Sequence, residues 1–325
     1  GTWPKPSMVN FPYFPVSLMA SPGQLSCSTL PSPNFVEHYD VIRSLGAGKY
    51  GQVKEVQHKG TKRRFAWKQV PLREKEAPEA AAEVEILRRV QHENIIQIYE
   101  VHTTPGVLHL VLELCSRGSM KQYMKSKVAK CDGLSIYCSP SRWEIATTLH
   151  QLLSAVSFLH SNGVAHRDIK PDNVLLSEKT WKLADFNLAC NFVARPGKLM
   201  RNKAGSRPFM APEVQEKGRY YTEKCDIYSL GILLIALRTG RHYWRPDCCE
   251  DEQIVEESKN LLSEERWYGL GCGALPFALE MISPEEDRCD AEEALGNPWL
   301  VRQVTRHVGG DTDLQGGAAS CCTIS

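Results

Sequence analysis

The feature that most narrows what this chain can fold into is a change of hydrophobic period at Cys115. From Tyr39 onward the apolar residues come in short runs: Tyr39 to Leu45, Gln52 to Gln57, Arg64 to Val70, Ile95 to Val101 and Leu108 to Leu114. Their alternation and β-branched content predict an antiparallel sheet. One stretch interrupts the series. Ala77 to Val90 is rich in helix formers and has Pro78 in its first turn, which predicts a helix. After Cys115 the helical period takes over in Ser119 to Lys130, Pro140 to His160 and Asp226 to Thr239, the second opening at Ser139 with Glu144 in its first turn. A chain divided in this way is α+β: a domain over residues 35–302 with a small β-rich lobe (about 39–113), a hinge near Glu113 to Cys115 and a larger α-helical lobe (about 116–302).

Composition excludes several classes of function. Of 325 residues, 42% are apolar and 24% charged, as expected of a globular protein. Lys plus Arg (39) balance Asp plus Glu (38), so no nucleic-acid partner is expected. The twelve cysteines form no C-x-x-C pair, which predicts reduced thiols and a cytoplasmic location. Residues 1–34 hold seven of the nineteen prolines and read as a disordered Pro/Ser-rich arm, with Pro12 and Pro15 interrupting any signal-peptide core. Residues 303–325 read as a flexible tail. Its last four residues, Cys322-Thr323-Ile324-Ser325, match a prenylation box, so farnesyl on Cys322 and palmitoyl on Cys321 are expected to give peripheral membrane attachment. Cys322→Ser is then expected to release the protein from membranes.

The chemistry is concentrated in Val164 to Leu176, a polar run between apolar flanks. Asp168, with Lys170 two residues on and Asn173 five on, offers a proton acceptor, a phosphate-binding cation and a metal ligand from one loop. Asp185, twelve residues after Asn173, supplies a carboxylate. One carboxylate and one amide oxygen suit a magnesium ion held partly by phosphates, with manganese also admissible. Upstream, Leu45-Gly46-Ala47-Gly48-Lys49-Tyr50-Gly51-Gln52-Val53 places three glycines in a turn between two strands, where backbone amides can approach a polyphosphate. A strand follows this turn, which excludes a dinucleotide fold, and no G-K-[ST] is present for a Walker A loop. Lys68 is a lone charge in an apolar strand and needs an anion. The expected partners are Glu83, on the face of its helix shared with Leu87 and Val90, and the α and β phosphates. Glu85 competes, but points about 200° away on a helix.

These motifs, in this order, resemble a eukaryotic protein kinase over about Tyr39 to Leu300. The resemblance implies a bilobal kinase fold, ATP with magnesium as cofactors, a protein hydroxyl as acceptor, and Asp168 as the base or orienter of that hydroxyl. It also implies that Val53 and Ala66 with Leu175 enclose adenine beside the gatekeeper Leu112, and that Glu113 and Cys115 offer hinge backbone bonds. Leu87, Ile98, His166 and Phe186 correspond to the family's regulatory stack, Glu213 is expected to pair with Arg288, and Asp226 is expected to anchor the catalytic loop. Lys170-Pro171 and Gly205-Ser206 resemble the serine/threonine class. Ala211-Pro212-Glu213 speaks against a small-molecule kinase.

Two departures stand out. Asn187 replaces the usual glycine after Asp185-Phe186, and it is expected to adopt φ > 0, keeping metal binding while changing loop flexibility. A nucleotide-binding pseudokinase scaffold is the rival reading. Arg167 implies a phosphate in the facing loop, yet from Leu188 to Pro212 the only hydroxyl side chain is Ser206, while Arg195, Lys198, Arg201, Lys203 and Arg207 add five positive charges. An enzyme without an activation-loop phosphorylation switch is expected, with an acidic substrate, partner or tail on that basic site. Arg117, Lys121, Lys125, Lys127 and Lys130 are expected to extend it.

Overall fold

In a computed structural model the described residues are 35–48, 51–72, 77–131, 134–195, 197, 199–240 and 267–308. The arm, Lys198 and residues 309–325 of the tail, with Cys321 and Cys322, lie outside them, whereas residues 303–308, read from sequence as flexible tail, continue the last helix to Val308. The described residues divide into two compact units, one of those within 35–72 with 98–112, the other of those within 77–97 with 113–308.

The first unit is a five-stranded antiparallel sheet of β1 (Tyr39–Gly48), β2 (Gly51–His58), β3 (Arg64–Pro71), β4 (Ile98–Thr104) and β5 (Val107–Leu112), in the order β1-β2-β3-β5-β4. Successive side chains in a strand point to opposite faces. Register places Val56 opposite Phe65, and Trp67 opposite Val111, on one face. Phe35, from a single 3₁₀ turn before β1, covers that face. Its ring stacks on His102 at 4.1 Å and meets Trp67 edge-on at 5.6 Å. Burying such a ring contributes about 1.5–3 kcal/mol. The opposite face carries Val53, Ala66, Lys68, Leu110 and Leu112. The fourth strand starts at Ile98, not Ile95: Ile95 forms a lone parallel bridge to Leu183 in the second unit.

The second unit contains α1 (Ala77–Arg89), which the sequence reading groups with the small lobe. The segment after α1 accounts for this membership. Ile96 donates to Leu183 O and Leu183 to Asn94 O, tying it to a strand of the second unit. Next come α2 (Met120–Ser126), β6 (Val128–Cys131), β7 (Leu134–Tyr137) and α3 (Arg142–Ser161). The helix predicted over Ser119 to Lys130 therefore ends at Ser126, and an exposed hairpin follows. α3 is capped by Ser141, not Ser139. Ser141 Oγ accepts from the Glu144 amide and the Glu144 carboxylate accepts from the Ser141 amide, a closed capping box. Ile145, Leu149, Leu152, Leu153 and Val156 line its buried face.

Beyond α3 lie β8 (Val164–Ala165), β9 (Val174–Ser177), β10 (Thr180–Leu183), β11 (Cys190–Asn191), α4 (Pro212–Gln215), α5 (Cys225–Thr239), α6 (Ala274–Met281), α7 (Ala291–Leu295) and α8 (Pro298–Val308). α3 packs on α5, α7, α8 and β10. α5 is buried from Cys225 to Leu237, so its apolar side chains serve the core. Among the described residues no helix is long and apolar enough to cross a membrane. Two small ribbons, β8 with β11 and β9 with β10, frame the loops 166–173 and 184–189.

Candidate active site

The loop between β8 and β9 is held from beneath by one carboxylate. Asp226, fully buried at the start of α5, accepts the His166 amide on Oδ2 (2.8 Å) and the Arg167 amide on Oδ1 (2.7 Å), and pairs with His160 Nε2 at 3.0 Å. Burial pushes this carboxyl up, but the His160 bond and charge, with the catalytic-loop groups, carry it below the ordinary value. The anchoring offsets strain. Arg167 has φ 65°, a left-handed conformation that costs a side-chain-bearing residue about 1–2 kcal/mol. His166 is buried and lowered in pKa, chiefly by desolvation. Its Nδ1 accepts from the Asp168 amide and its Nε2 bonds Ala184 O at 3.1 Å, which assigns the neutral Nε2–H tautomer. The ring meets Phe186 edge-on at 4.8 Å.

Asp168 is the centre of a cluster. Its Oδ2 accepts from Lys170 Nζ (2.6 Å) and Asn173 Nδ2 (3.0 Å), and its Oδ1 accepts from the Ser206 hydroxyl (2.9 Å). Lys170 Nζ also donates to Ser206 Oγ at 2.7 Å. A carboxylate has about four lone-pair directions. Oδ2 has both filled, so Oδ1 retains one for an incoming hydroxyl. Gly205 sets Ser206 in place: with φ 110°, an added Cβ there would lie 2.5 Å from Arg167 O, a distance real Cβ atoms do not tolerate.

The metal-ligand candidates pass a test of donor chemistry. Asn173 Nδ2 gives both its hydrogens to Asp168, to O (2.9 Å) and Oδ2, which leaves Oδ1 as the oxygen available to a cation. The Ala184 amide donates to Asn173 O at 2.9 Å, so Asp185 follows immediately beside it. Two hard oxygen donors fit magnesium completed by phosphates and water. Among the described residues no group of three or more His, Cys, Asp or Glu forms a self-sufficient metal cage. Asn187 departs from expectation. It is absent from the residues with positive φ, whereas Asp185 has φ 64°. The Asn187 side-chain Nδ2 instead donates to Asp185 Oδ1 at 2.5 Å.

The remaining candidates divide between the units. In the first, Val53, Ala66 and Lys68 share one sheet face, and Lys68 is 8% exposed. Gly46 and Gly48 lie on β1 rather than in the turn itself, and Leu45 falls at a register shift of that strand. A Cβ on Gly46 would meet nothing within 4 Å, so its backbone face is open. Gly51 has φ 127° and an added Cβ would strike Gln69 O, so here glycine answers a close strand approach. In the second unit Glu83 is 1% exposed on α1 while Glu85 is exposed, which favours Glu83 of the two. The Glu113 amide donates to Gln97 O, and its carboxylate pairs with Lys182 at 3.0 Å. Cys115 is partly buried, its thiol pushed up to about 12 by burial and then by Glu113. Leu175 lies on β9, opposite Lys182.

Glu213 receives a bidentate bond from Arg288, at 2.6 and 3.2 Å. The expected basic face is thinner than its sequence. Lys121 pairs with Asp172 and Lys127 with Glu144, whereas Arg201, Lys203 and Arg207 are exposed. Arg167 is held by neutral acceptors, Leu188 O and the Tyr221 hydroxyl. Tyr221 is the residue that sequence reasoning missed. No local pattern marks it, because its side-chain partners Arg167 and Asn202 are 54 and 19 positions away.

Comparison with known proteins agrees with this geometry. Residues 39–300 match the model of the protein kinase domain. The chain is 28% identical over 270 residues to maternal embryonic leucine zipper kinase of Danio rerio (82% of this chain, 38% of that protein). It is 28% identical over 276 residues to serine/threonine-protein kinase H1 homolog of the same organism (83% and 63%), and 31% identical over 276 residues to serine/threonine-protein kinase PEPKR2 of Arabidopsis thaliana (83% and 55%). It thus spans between 38% and 63% of the length of these three relatives. With a family match over residues 39–300 and the Asp168 cluster in its place, the chain belongs to the protein kinase family, among relatives of the serine/threonine type.

Proposed function

We propose that this protein is a serine/threonine kinase that transfers the γ-phosphate of Mg-ATP to hydroxyls of protein substrates, without a phosphorylation switch in its activation loop. The observation that carries the reading is the Asp168 cluster, in which Lys170, Asn173 and Ser206 fill three of four lone-pair directions and leave one. That direction aligns a substrate hydroxyl and takes its proton as the oxygen becomes a nucleophile. Lys170, already beside Asp168, adds positive charge where the transferring phosphoryl would develop negative charge. Asn173 Oδ1 and Asp185 would hold magnesium, which when bound neutralises phosphate charge. In the first unit Lys68 would bind the α and β phosphates, which Gly46, Gly48 and Gly51 would let backbone amides approach. Val53 and Ala66 in the first unit and Leu175 in the second are the apolar residues that would contact adenine, and backbone groups of Glu113 and Cys115 would bond its edge.

The exposed Arg201, Lys203 and Arg207 favour acidic substrates. The six free cysteines among the described residues fit a reducing, cytoplasmic setting. A lipid anchor at Cys322 is proposed on its motif alone. The test is magnesium-dependent phosphorylation of acidic and basic peptide arrays by the purified chain. Asp185→Ala is expected to lower the rate at least about 100-fold. Equal rates in wild type and Asp185→Ala overturn the kinase reading, and a preference for arginine-rich peptides overturns the acidic one.

A further inference from the structure

Arg167 adjoins Asp168 and faces a segment with five cations, no acid and no spare hydroxyl, since Ser206 is committed to Asp168 and Lys170. It is nonetheless fixed. Its Nε donates to Leu188 O at 2.7 Å and its Nη1 to the Tyr221 hydroxyl at 3.2 Å, and that hydroxyl donates to Asn202 O at 2.6 Å. Tyr221 is 1% exposed. Its backbone forms a two-bond bridge with Met200, at 2.8 and 2.9 Å, so both ends of the residue are tied to the segment after Asp185. Burial, partly offset by Arg167, raises the phenol above its ordinary value and keeps it neutral. The hydroxyl accepts one bond and donates one, so its hydrogen-bonding capacity is used without any added charge.

We propose that Tyr221 is a positioning residue for phosphoryl transfer, its hydroxyl linking Arg167 to Asn202 and so coupling the catalytic loop to the segment that presents Ser206. This rests on the kinase reading above. Tyr221 acts through Arg167, whose amide is bound by Asp226 and whose carbonyl lies against Gly205. The linkage is made by a side chain present from synthesis, so the segment reaches its place without a modification step. An ordering phosphate brings charge-assisted bonds to such an arginine. A buried hydroxyl brings weaker bonds, but it cannot be removed by a phosphatase.

Tyr221→Phe in the full chain removes one oxygen and keeps the ring. The expected result is a fall in kcat of about tenfold, with KM for ATP within about twofold. Tm is expected to stay within a few degrees, roughly the shift that one lost hydrogen bond allows. Hydrogen exchange of the amides of residues 200–203 is expected to rise about tenfold, as a lost local constraint predicts. Arg167→Met is expected to lower kcat similarly, and the double variant to be no slower than the slower single one, because both break one linkage. An unchanged kcat in Tyr221→Phe, or additive losses in the double variant, overturns the proposal. So does a kcat loss matched by equal damage to KM and Tm, which would make Tyr221 a core residue only. Should the wild type transfer no phosphate, the kinase reading falls and exchange decides the linkage: unaltered protection of residues 200–203 in Tyr221→Phe overturns it.

Discussion

Arg288 and Arg167 belong to the same unit and are each fixed by several hydrogen bonds, but their partners differ in kind. Arg288, 1% exposed, gives two bonds to the Glu213 carboxylate and others to Ser283 O and Lys224 O. Arg167 gives its bonds to a carbonyl and a phenol. The first is a buried ion pair in which each charge depends on the other. The second keeps its charge beside a basic segment and gives two of its five N–H groups to neutral oxygens. The pair at Glu213 is therefore structural and its loss is felt by the whole unit. The clasp at Arg167 orders one segment and is felt in the reaction.

Truncating Glu213 to Ala gives the largest expected effect. It leaves Arg288 buried without its counter-ion, which costs about 3–5 kcal/mol, enough to unfold much of the protein near body temperature. Arg167→Met removes two bonds to neutral acceptors and is expected to cost about 1–3 kcal/mol. Urea denaturation of both variants measures the contrast. If Arg167→Met destabilises as much as Glu213→Ala, the distinction between a structural and a positioning arginine is wrong.

Asp226 sharpens the comparison, because it is the anion that Arg167 does have, reached through the backbone amide and not the guanidinium. Asp226→Asn keeps the size but replaces one acceptor with a donor facing an amide or His160, and it is expected to cost about 1.5–3 kcal/mol. The charge also imposes a pH dependence. The folded carboxyl lies below its ordinary value, so the native state binds its proton at lower pH than the unfolded chain does. Its stabilisation is complete above about pH 3.9 and is lost as pH falls through the folded value. Denaturation curves from about pH 5 down to about pH 2, roughly the range over which a depressed carboxylate loses its contribution, are expected to show this acid loss in wild type and to lack it in Asp226→Asn. An equal acid loss in both would assign it to other carboxylates.

What could be read from sequence follows the range of the interaction that decides it. Asp168, Lys170 and Asn173 lie within six residues, so their spacing alone brings them together. Glu83 over Glu85 follows from helical period, since one face of α1 is buried. The cap of α3 was legible but misplaced. Ser141 with Glu144 three residues on is the S-x-x-E pattern, whereas Pro140 drew attention to Ser139. The β6–β7 hairpin was missed because Lys-rich residues after α2 suit a helix, and only the pairing of Val128 with Tyr137 turns them into strand. At Asn187 the expectation came from a residue type. The left-handed conformation lies two residues earlier, at Asp185, and Asn187 uses its amide instead. Tyr221 shows the limit of local reasoning, because a hydroxyl closing a gap between distant loops leaves no periodic trace.

The smallest expected effect comes from an ion pair that resembles the first only on paper. Lys121 on α2 reaches Asp172 in the catalytic loop at 2.9 Å, and the two side chains are 34% and 36% exposed. Water and salt screen such a pair, so Lys121→Gln is expected to cost less than about 1 kcal/mol. The helix stays attached to the loop without it, because the Lys121 amide donates to Pro171 O at 3.0 Å whatever the side chain. Repeating the denaturation in about 1 M salt removes most of even this difference, since the screening length is then about 3 Å. The Glu213→Ala loss is expected to persist under the same salt because its charges are out of contact with water. A Lys121→Gln cost above about 2 kcal/mol, or one insensitive to salt, would mean that exposure does not separate the two ion pairs as solvent screening requires.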